Sequence, residues 1–172
     1  VCSSDLVESN KTSEVTKVTD NKTYSASLLA CGDVMAHMPQ LKAQYNTSTK
    51  KYSFDNNYKY VKKYIKNADL AMANLETTLC GDDVYAYSSY PTFNTPDALA
   101  DSLKNVGFDL LSTINNHSFD MSSLGVERTL STLKKKGFDT VGTREKKSDD
   151  EYVIENVNGI KLGITAYSDR KS

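Results

Sequence analysis

Residues 68–76 read Ala-Asp-Leu-Ala-Met-Ala-Asn-Leu-Glu, an apolar run that ends in polar residues. Such a run is typical of a buried strand in an α/β sheet. Residues 27–33 and 109–117 repeat the pattern, and helical patterns alternate with the three runs, at residues 54–65, 95–107 and 122–137. Because strands alternate with helices over short connections, the sequence predicts an α/β fold with βαβ units and helices on the faces of the sheet.

Local signals predict where the helices begin and end. The first helix has apolar residues at helical spacing, namely Phe54, Tyr58, Val61 and Ile65. Thr95 supplies an N-cap hydroxyl before Pro96, and Gly107 ends that second helix. Ser122 or Ser123 is the predicted cap of the third helix, whose inner face is made by Leu124, Leu130 and Leu133.

Further strands follow these helices. Val141 marks a short strand, and Asn158-Gly159 is a strong hairpin signal between strands at residues 152–157 and 160–167. Residues 77–94 and 144–151 are predicted to be loops.

The composition excludes several classes of protein. The 172 residues make one domain or a piece of a larger one, and 38% of them are hydrophobic, which is enough for a core. Twenty-one basic and 22 acidic side chains leave a net charge of −1, so nothing indicates the basic face of a nucleic-acid-binding protein. No apolar run approaches the roughly 18 residues of a membrane span.

The first 23 residues and the cysteines bear on location. Residues 1–23 are polar and are predicted to be a tether ahead of a domain at residues 24–172. Cys2 suits the lipid-modified cysteine of a membrane-anchored, extracytoplasmic bacterial lipoprotein, or it is an unmodified cysteine near a chain end. Cys31 is predicted to be a small buried residue, and Cys80 to be reactive or paired in its loop.

Polar residues follow each of the three apolar runs. In open α/β sheets the carboxyl ends of the strands share one rim, where ligands bind. Five side chains should therefore meet there: Asp33, Asn74, Glu76, Asn116 and His117. Carboxylate and amide oxygens suit Mg²⁺, Mn²⁺ or Ca²⁺, and an imidazole adds Zn²⁺ or Fe. Each cluster taken alone is also explained by a turn or a helix cap.

Four segments in order resemble the bacterial capsule-synthesis CapA family. They are Cys31-Gly-Asp-Val-Met35, Ala68-Asp-Leu-Ala-Met-Ala-Asn-Leu-Glu-Thr-Thr-Leu79, Phe93-Asn-Thr-Pro96 and Gly107-Phe-Asp-Leu-Leu-Ser-Thr-Ile-Asn-Asn-His-Ser-Phe-Asp120. The resemblance covers about residues 25–167. It implies a metallophosphoesterase-like (calcineurin-like) α/β sandwich and a link to poly-γ-glutamate synthesis or export.

The resemblance also implies residue roles. Asp33 matches the first metal-binding aspartate, Glu76 the bridging carboxylate and Asn116 the amide ligand, with Asn74 as a neighbouring ligand or hydrogen-bond donor. His117 matches the catalytic histidine that polarises a phosphate or protonates a leaving group. Asp120 either orients His117 or caps the next helix.

Two departures from the family pattern limit these roles. Met35 stands where metallophosphoesterases usually have a histidine; His37 either reaches the same rim or is a surface residue. The later histidine motifs of the family have no counterpart, since the chain has only two histidines. The chain is therefore predicted to be the N-terminal portion of a longer protein, with an incomplete site that is inactive alone. An unpaired strand edge would favour a homo-oligomer or an exchanged segment.

The predicted function is that of a capsule (poly-γ-glutamate) synthesis or export accessory protein with a metal-dependent hydrolase-like site. Its cofactor would be a divalent metal (Mn, Zn, Mg or Fe). Its partners would be a capsule polymer or phosphoester substrate and the capsule synthesis membrane complex. Two alternatives remain: a non-catalytic polymer-binding or export component of the same fold, and a cytosolic metallophosphatase.

Overall fold

A computed structural model of the chain describes residues 22–169, which form a mixed α/β structure around a parallel sheet. The sheet has four strands, Leu28–Val34 (β1), Leu70–Leu75 (β4), Leu110–Ser112 (β5) and Asp139–Val141 (β6). They are all parallel and lie in the order β1-β4-β5-β6. The predicted α/β class is therefore confirmed. Cys2 and nearly all of the predicted tether lie outside the described residues.

Two antiparallel hairpins accompany the sheet. Strands Tyr45–Asn46 (β2) and Lys51–Tyr52 (β3) form a short one, and strands Tyr152–Val157 (β7) and Ile160–Thr165 (β8) form a longer one. The longer hairpin turns at Asn158 and Gly159, which both have positive φ, as the sequence predicts.

Five helices complete the described structure. They are Met38–Gln44 (α1), Asp55–Tyr58 (α2), Lys62–Lys66 (α3), Ala98–Val106 (α4) and Ser122–Lys135 (α5). None of them is both long and apolar enough to cross a membrane.

The main core lies between the sheet and the helices. One face of the sheet contributes Ala71, Ala73 and Leu75 from β4 and Leu111 from β5. Four helices cover that face with buried side chains, among them Leu41 (α1), Ile65 (α3), Leu103 (α4) and Leu133 (α5). Burial of each large aliphatic side chain stabilises the fold by about 1.5–3 kcal/mol.

Strand β1 differs from its prediction. The pair Gly32-Asp33 was expected to end the strand, but β1 continues to Val34 and lies at the edge of the described sheet, paired only with β4. This edge position also makes the prediction for Cys31 wrong, because its side chain is exposed rather than buried. Whether the open edge serves a second copy of the chain stays a prediction.

Two helix starts also differ from their predictions. The second predicted helix begins at Ala98 instead of Pro96, because the Thr95 hydroxyl is buried against the Thr77 hydroxyl at 2.9 Å and does not cap the helix. The N-cap of α5 is Met121, which has no side-chain cap, so neither predicted serine caps it. Leu124 was predicted to face inward, but its side chain is 41% exposed.

The predicted helix at residues 54–65 is split into α2 and α3 by a turn at Lys59, Tyr60 and Val61. Phe54 and Ile65 are buried as predicted, whereas Val61 is exposed because the turn shifts the phase of the two helices.

Candidate functional site

A β-bulge in β1 places Asp33 on the candidate rim. Ala30 pairs with Met72 and Asp33 pairs with Asn74, so β1 uses three residues where β4 uses two. Without the extra residue, Asp33 would point to the opposite face of the sheet, because side chains alternate along a strand. The bulge therefore brings the Asp33 carboxylate beside the Asn74 amide, which donates to Asp33 Oδ1 at 2.8 Å.

Asn74 connects the two carboxylates of the rim. Its Nδ2 also donates to Glu76 Oε2 at 3.3 Å. The Glu76 amide in turn donates to the carbonyl of Val34 at 2.9 Å, which ties the ends of β1 and β4 together. Asn74 therefore presents its amide hydrogens, and not its oxygen, to the carboxylates.

Asn115 holds Asn74 in that orientation. Its Nδ2 donates to Asn74 Oδ1 at 3.1 Å and to the Leu75 carbonyl at 2.9 Å, while its Oδ1 accepts the His117 amide at 2.9 Å. Because a backbone carbonyl accepts only, the Asn115 amide can point just one way. That orientation requires Asn74 to turn its oxygen toward Asn115 and its nitrogen toward Asp33 and Glu76.

His117 and Asp120 form the second half of the site. His117 Nδ1 lies 2.7 Å from Asp120 Oδ2, and the same oxygen accepts the Phe93 amide at 2.6 Å. Since a carboxylate only accepts hydrogen bonds, Nδ1 is the donor in its contact with Asp120. His117 Nε2 is left facing Glu76 Oε1 at 3.9 Å. A proton can therefore be taken up or released at Nε2 while Asp120 holds the ring.

The loop at residues 77–94 packs an aromatic ring against His117. Phe93 meets the His117 ring edge-on, with the ring centroids 4.7 Å apart, and its carbonyl accepts the Thr78 hydroxyl at 2.8 Å. Asn94 is fully buried and shapes the loop: it accepts the Cys80 amide at 2.9 Å and donates to the Gly81 carbonyl at 2.7 Å. The loop thus fixes one side of the imidazole.

The electrostatics of the rim favour a positive charge. Burial raises the pKa of Glu76, and the adjacent Asp33 carboxylate raises it further, while His117 lowers it. Among the described residues, the basic side chain that pairs with Glu76 is His117, whose Nε2 lies 3.9 Å from Glu76 Oε1. Their oxygens are hard donors, which suit Mg²⁺ or Mn²⁺.

The number of ligands is low for a protein-built metal site. Within residues 22–169, no three side chains of the His, Cys, Asp and Glu types come together as a group that could hold a metal ion. Mg²⁺ commonly keeps several waters and is bound through one or two carboxylates. The two carboxylates among the described residues therefore suit a hard ion that keeps several of its waters.

The structure brings five of the six predicted site residues together at the rim: Asp33, Asn74, Glu76, His117 and Asp120. Hydrogen bonds join Asn74 to both carboxylates and His117 to Asp120, while His117 and Glu76 approach each other at 3.9 Å. The sixth, Asn116, is exposed, and its role as a ligand stays a prediction. His37 is exposed too, and its ring meets Phe93 with centroids 5.1 Å apart.

Two further residues lie at the site without a role predicted from the sequence. They are Asn115, next to Asn116, and Phe93, in the segment Phe93-Asn-Thr-Pro96. Cys80 was predicted to be reactive or paired; it is a free, buried thiol whose pKa is raised chiefly by burial, which disfavours the reactive thiolate.

The fold and the rim residues lie within a segment that matches a known protein family. The family described as bacterial capsule synthesis protein PGA_cap matches residues 27–172, which is most of the chain. The chain belongs to this PGA_cap family. The parallel sheet with its helices agrees with the calcineurin-like α/β fold implied by the resemblance.

Two curated relatives support the PGA_cap assignment. The chain is 24% identical over 165 residues to the capsule biosynthesis protein CapA of Bacillus anthracis. The aligned region covers 92% of this chain and 38% of that protein. It is 25% identical over 154 residues to the PGA biosynthesis protein CapA of Bacillus subtilis (strain 168). This aligned region covers 86% of this chain and 39% of that protein. The chain thus spans about two-fifths of the length of these relatives.

Proposed function

We propose that this chain carries part of a metal-dependent, hydrolase-like site of a capsule synthesis protein, with Asp33 and Glu76 holding a divalent cation. The observation that supports the proposal is that the Asp33 and Glu76 carboxylates both accept hydrogen bonds from Nδ2 of Asn74, so that two acidic groups lie side by side on the rim. A cation there would offset the repulsion between the carboxylates. When bound, it would polarise an ester or amide and activate a water molecule.

His117 supplies the proton chemistry in this proposal. Its Nε2 faces the rim, and its Nδ1 is held by Asp120 at 2.7 Å. The Asp120 carboxylate stabilises the imidazolium, so that Nε2 can donate a proton to a departing oxygen or nitrogen. Phe93 limits the rotation of the ring. The substrate would be a phosphoester or an amide of a γ-linked glutamate polymer.

Titration of the chain with Mn²⁺ tests the cation part of the proposal. Glu76→Gln should weaken binding by about tenfold or more, because it removes one of two charged ligands and even outer partners of a metal commonly matter by 10–100-fold. Titration calorimetry on the wild type and the variant gives the comparison.

Glu127→Gln is the matched control, since Glu127 is exposed on α5 and takes part in none of the site contacts described above. The proposal would be contradicted if the Glu76→Gln variant bound Mn²⁺ as tightly as the wild type, or if the wild type did not bind Mn²⁺. His117→Ala should keep most of the Mn²⁺ affinity and lose any hydrolysis of a phosphoester or of poly-γ-glutamate.

A second candidate is a non-catalytic, polymer-binding component. The observation that favours it is the low number of metal-ligating side chains on the rim. Asn74 and Asn115 already satisfy the neighbouring polar groups by hydrogen bonds, without a cation. Polymer binding that is unaffected by a chelator, with no hydrolysis, would favour this candidate over the first.

A further inference from the structure

A basic and aromatic surface covers the turn and helix at residues 59–66. We call it the lysine–tyrosine surface; its exposed members are Lys59, Tyr60, Val61, Lys62, Lys63, Tyr64 and Lys66. The exposed fractions are 77% for Tyr60, 44% for Val61 and 60% for Tyr64. Large apolar and aromatic groups are thus presented side by side to the outside.

The charged members of this surface are all positive, and Asp55 lines a cleft beside one of them, Lys62. The surface carries four lysines, and no Asp or Glu occurs between Asn56 and Asn67. The whole chain has a net charge of −1, so the positive charge is concentrated in this segment and is not a property of the chain. A surface of this kind attracts anionic partners over about a Debye length, which is about 8 Å at physiological salt.

The lysines and tyrosines are already arranged in pairs. Lys59 Nζ lies 4.7 Å from the centroid of the Tyr60 ring, and Lys63 Nζ lies 4.8 Å from that of Tyr64. Tyrosine and lysine both combine an apolar body with a polar tip, so both can lie across a boundary between an apolar phase and water. These pairs therefore suit an interface better than bulk water.

The segment is firmly mounted on the rest of the fold. Phe54 and Ile65 on either side of the turn are buried in the main core. The Phe54 amide also donates to the Ser102 hydroxyl of α4 at 3.1 Å. Because these anchors hold the segment, binding through its outer face would not need the fold to open.

From these observations we infer that the lysine–tyrosine surface docks on an anionic lipid bilayer. Helical segments with lysines around an aromatic and aliphatic centre lie in the headgroup region, where the lysines meet lipid phosphates and the rings enter the boundary. The surface is formed by one turn and one short helix on the outside of the fold. Its exposed rings distinguish it from a purely basic patch, because they can enter the boundary of a bilayer while the lysines meet the phosphates.

The position of the surface leaves the candidate site open. Helix α3 leads into the amino end of β4, whereas Asn74 and Glu76 lie at its carboxyl end. The five residue steps from Leu70 to Leu75 separate the two ends by roughly 17 Å. The inference does not depend on the proposed function, since it uses none of the rim residues.

Vesicle co-sedimentation of the chain tests the inference. The wild type should bind vesicles of phosphatidylcholine with 30% phosphatidylglycerol, weakly at high salt, and should not bind pure phosphatidylcholine. Lys59→Gln with Lys63→Gln should lower the partition coefficient by about 25-fold, at about fivefold for each lysine near a charged membrane. Lys134→Gln with Lys135→Gln, an exposed pair on α5, is the control and should change it much less.

A single introduced tryptophan gives an independent readout. The chain has no Trp, so Tyr60→Trp would be its sole tryptophan, and its emission should shift to the blue with anionic vesicles only. Tyr90→Trp, at a residue that is 76% exposed outside the surface, should not shift. The inference is wrong if the vesicles do not bind, if both lysine pairs matter equally, or if soluble polyglutamate binds more tightly and gives the same shift.

Discussion

Asn115 connects the two halves of the candidate site through one side chain. It donates to Asn74, which positions the carboxylates, and accepts from the amide of His117, which carries the proton chemistry. Its third partner, the carbonyl of Leu75, anchors it to the end of β4. Asn115 contacts neither of the rim carboxylates, so its effect on the site passes through the groups that it orients.

Replacement of Asn115 by aspartate should therefore destabilise the chain. Asn115→Asp turns an oxygen toward the Leu75 carbonyl and toward Asn74 Oδ1, so two acceptors lose their donor. We expect a loss of about 1–3 kcal/mol in the free energy of unfolding, measured by urea denaturation at neutral pH. Asn56→Asp, an exposed change in the first turn of α2, should alter it by only a few tenths of a kcal/mol. A similar small effect in both variants would rule out the orienting role.

The contrast between Asn115 and Asn116 shows how far sequence predicts a site. The pattern of polar residues after apolar strands correctly indicated which segments meet, since parallel strands end at one rim. It did not say which of two consecutive asparagines points inward. That depends on the backbone after β5, where the Ser118 hydroxyl accepts the amide of Asn115 at 2.7 Å and turns the chain.

At the scale of elements, the approach of α5 to the loop at residues 77–94 depends on a glycine. A Cβ atom at Gly125 would lie 2.6 Å from Met121 Cβ and 3.3 Å from Thr78 Cγ2. Thr78 binds the carbonyl of Phe93, which packs against His117. The absence of a side chain at Gly125 thus lets the helix support the loop that positions the imidazole.

Gly125→Ala should accordingly destabilise the chain, although alanine is more favourable than glycine inside a helix by about 1 kcal/mol. We expect overpacking to dominate, with a net loss of about 1–3 kcal/mol in the free energy of unfolding. Ser123→Ala on the exposed side of α5 should change it by less than about 0.5 kcal/mol. Thermal and urea denaturation of both variants decide between these effects, and a stabilised Gly125 variant would show that the close contact is relieved at no cost.

Elements with a continuous apolar run or a strong turn signal were predicted well from the sequence. Strand β4 and the β7–β8 hairpin are examples, because burial or turn chemistry alone determines them. Helix α1 was not predicted, since Leu41 is its only buried residue and leaves no periodic pattern. Gly32-Asp33 was predicted to be a turn that ends β1, because Gly-Asp is common in turns and in β-bulges alike. Only the pairing of β1 with β4 distinguishes a bulge from a turn.

At the scale of the molecule, the two ends of the sheet carry acidic groups in different surroundings. The carboxyl ends bear Asp33 and Glu76 with His117 beside them. Near the amino ends, the β7–β8 hairpin brings Glu155 against Asp139 and Asp109, in a cleft also lined by Asp69 and Lys104. The packing of the hairpin on the sheet thus places carboxylates together at a cost in repulsion.

This cost predicts how stability depends on pH. Burial, and then the Asp139 and Asp109 carboxylates, raise the pKa of Glu155 above its ordinary value. The folded chain therefore holds this proton more tightly than the unfolded chain, so ionised Glu155 lowers stability as the pH rises from the acidic range to neutral. Glu155→Gln should be more stable than the wild type at pH 7 and similar to it near pH 4, as measured by urea denaturation. Glu151→Gln, which loses an ion pair with Arg144, should show no such gain. Equal stability of the Glu155 variant and the wild type at both pH values would mean that the repulsion is fully screened by solvent.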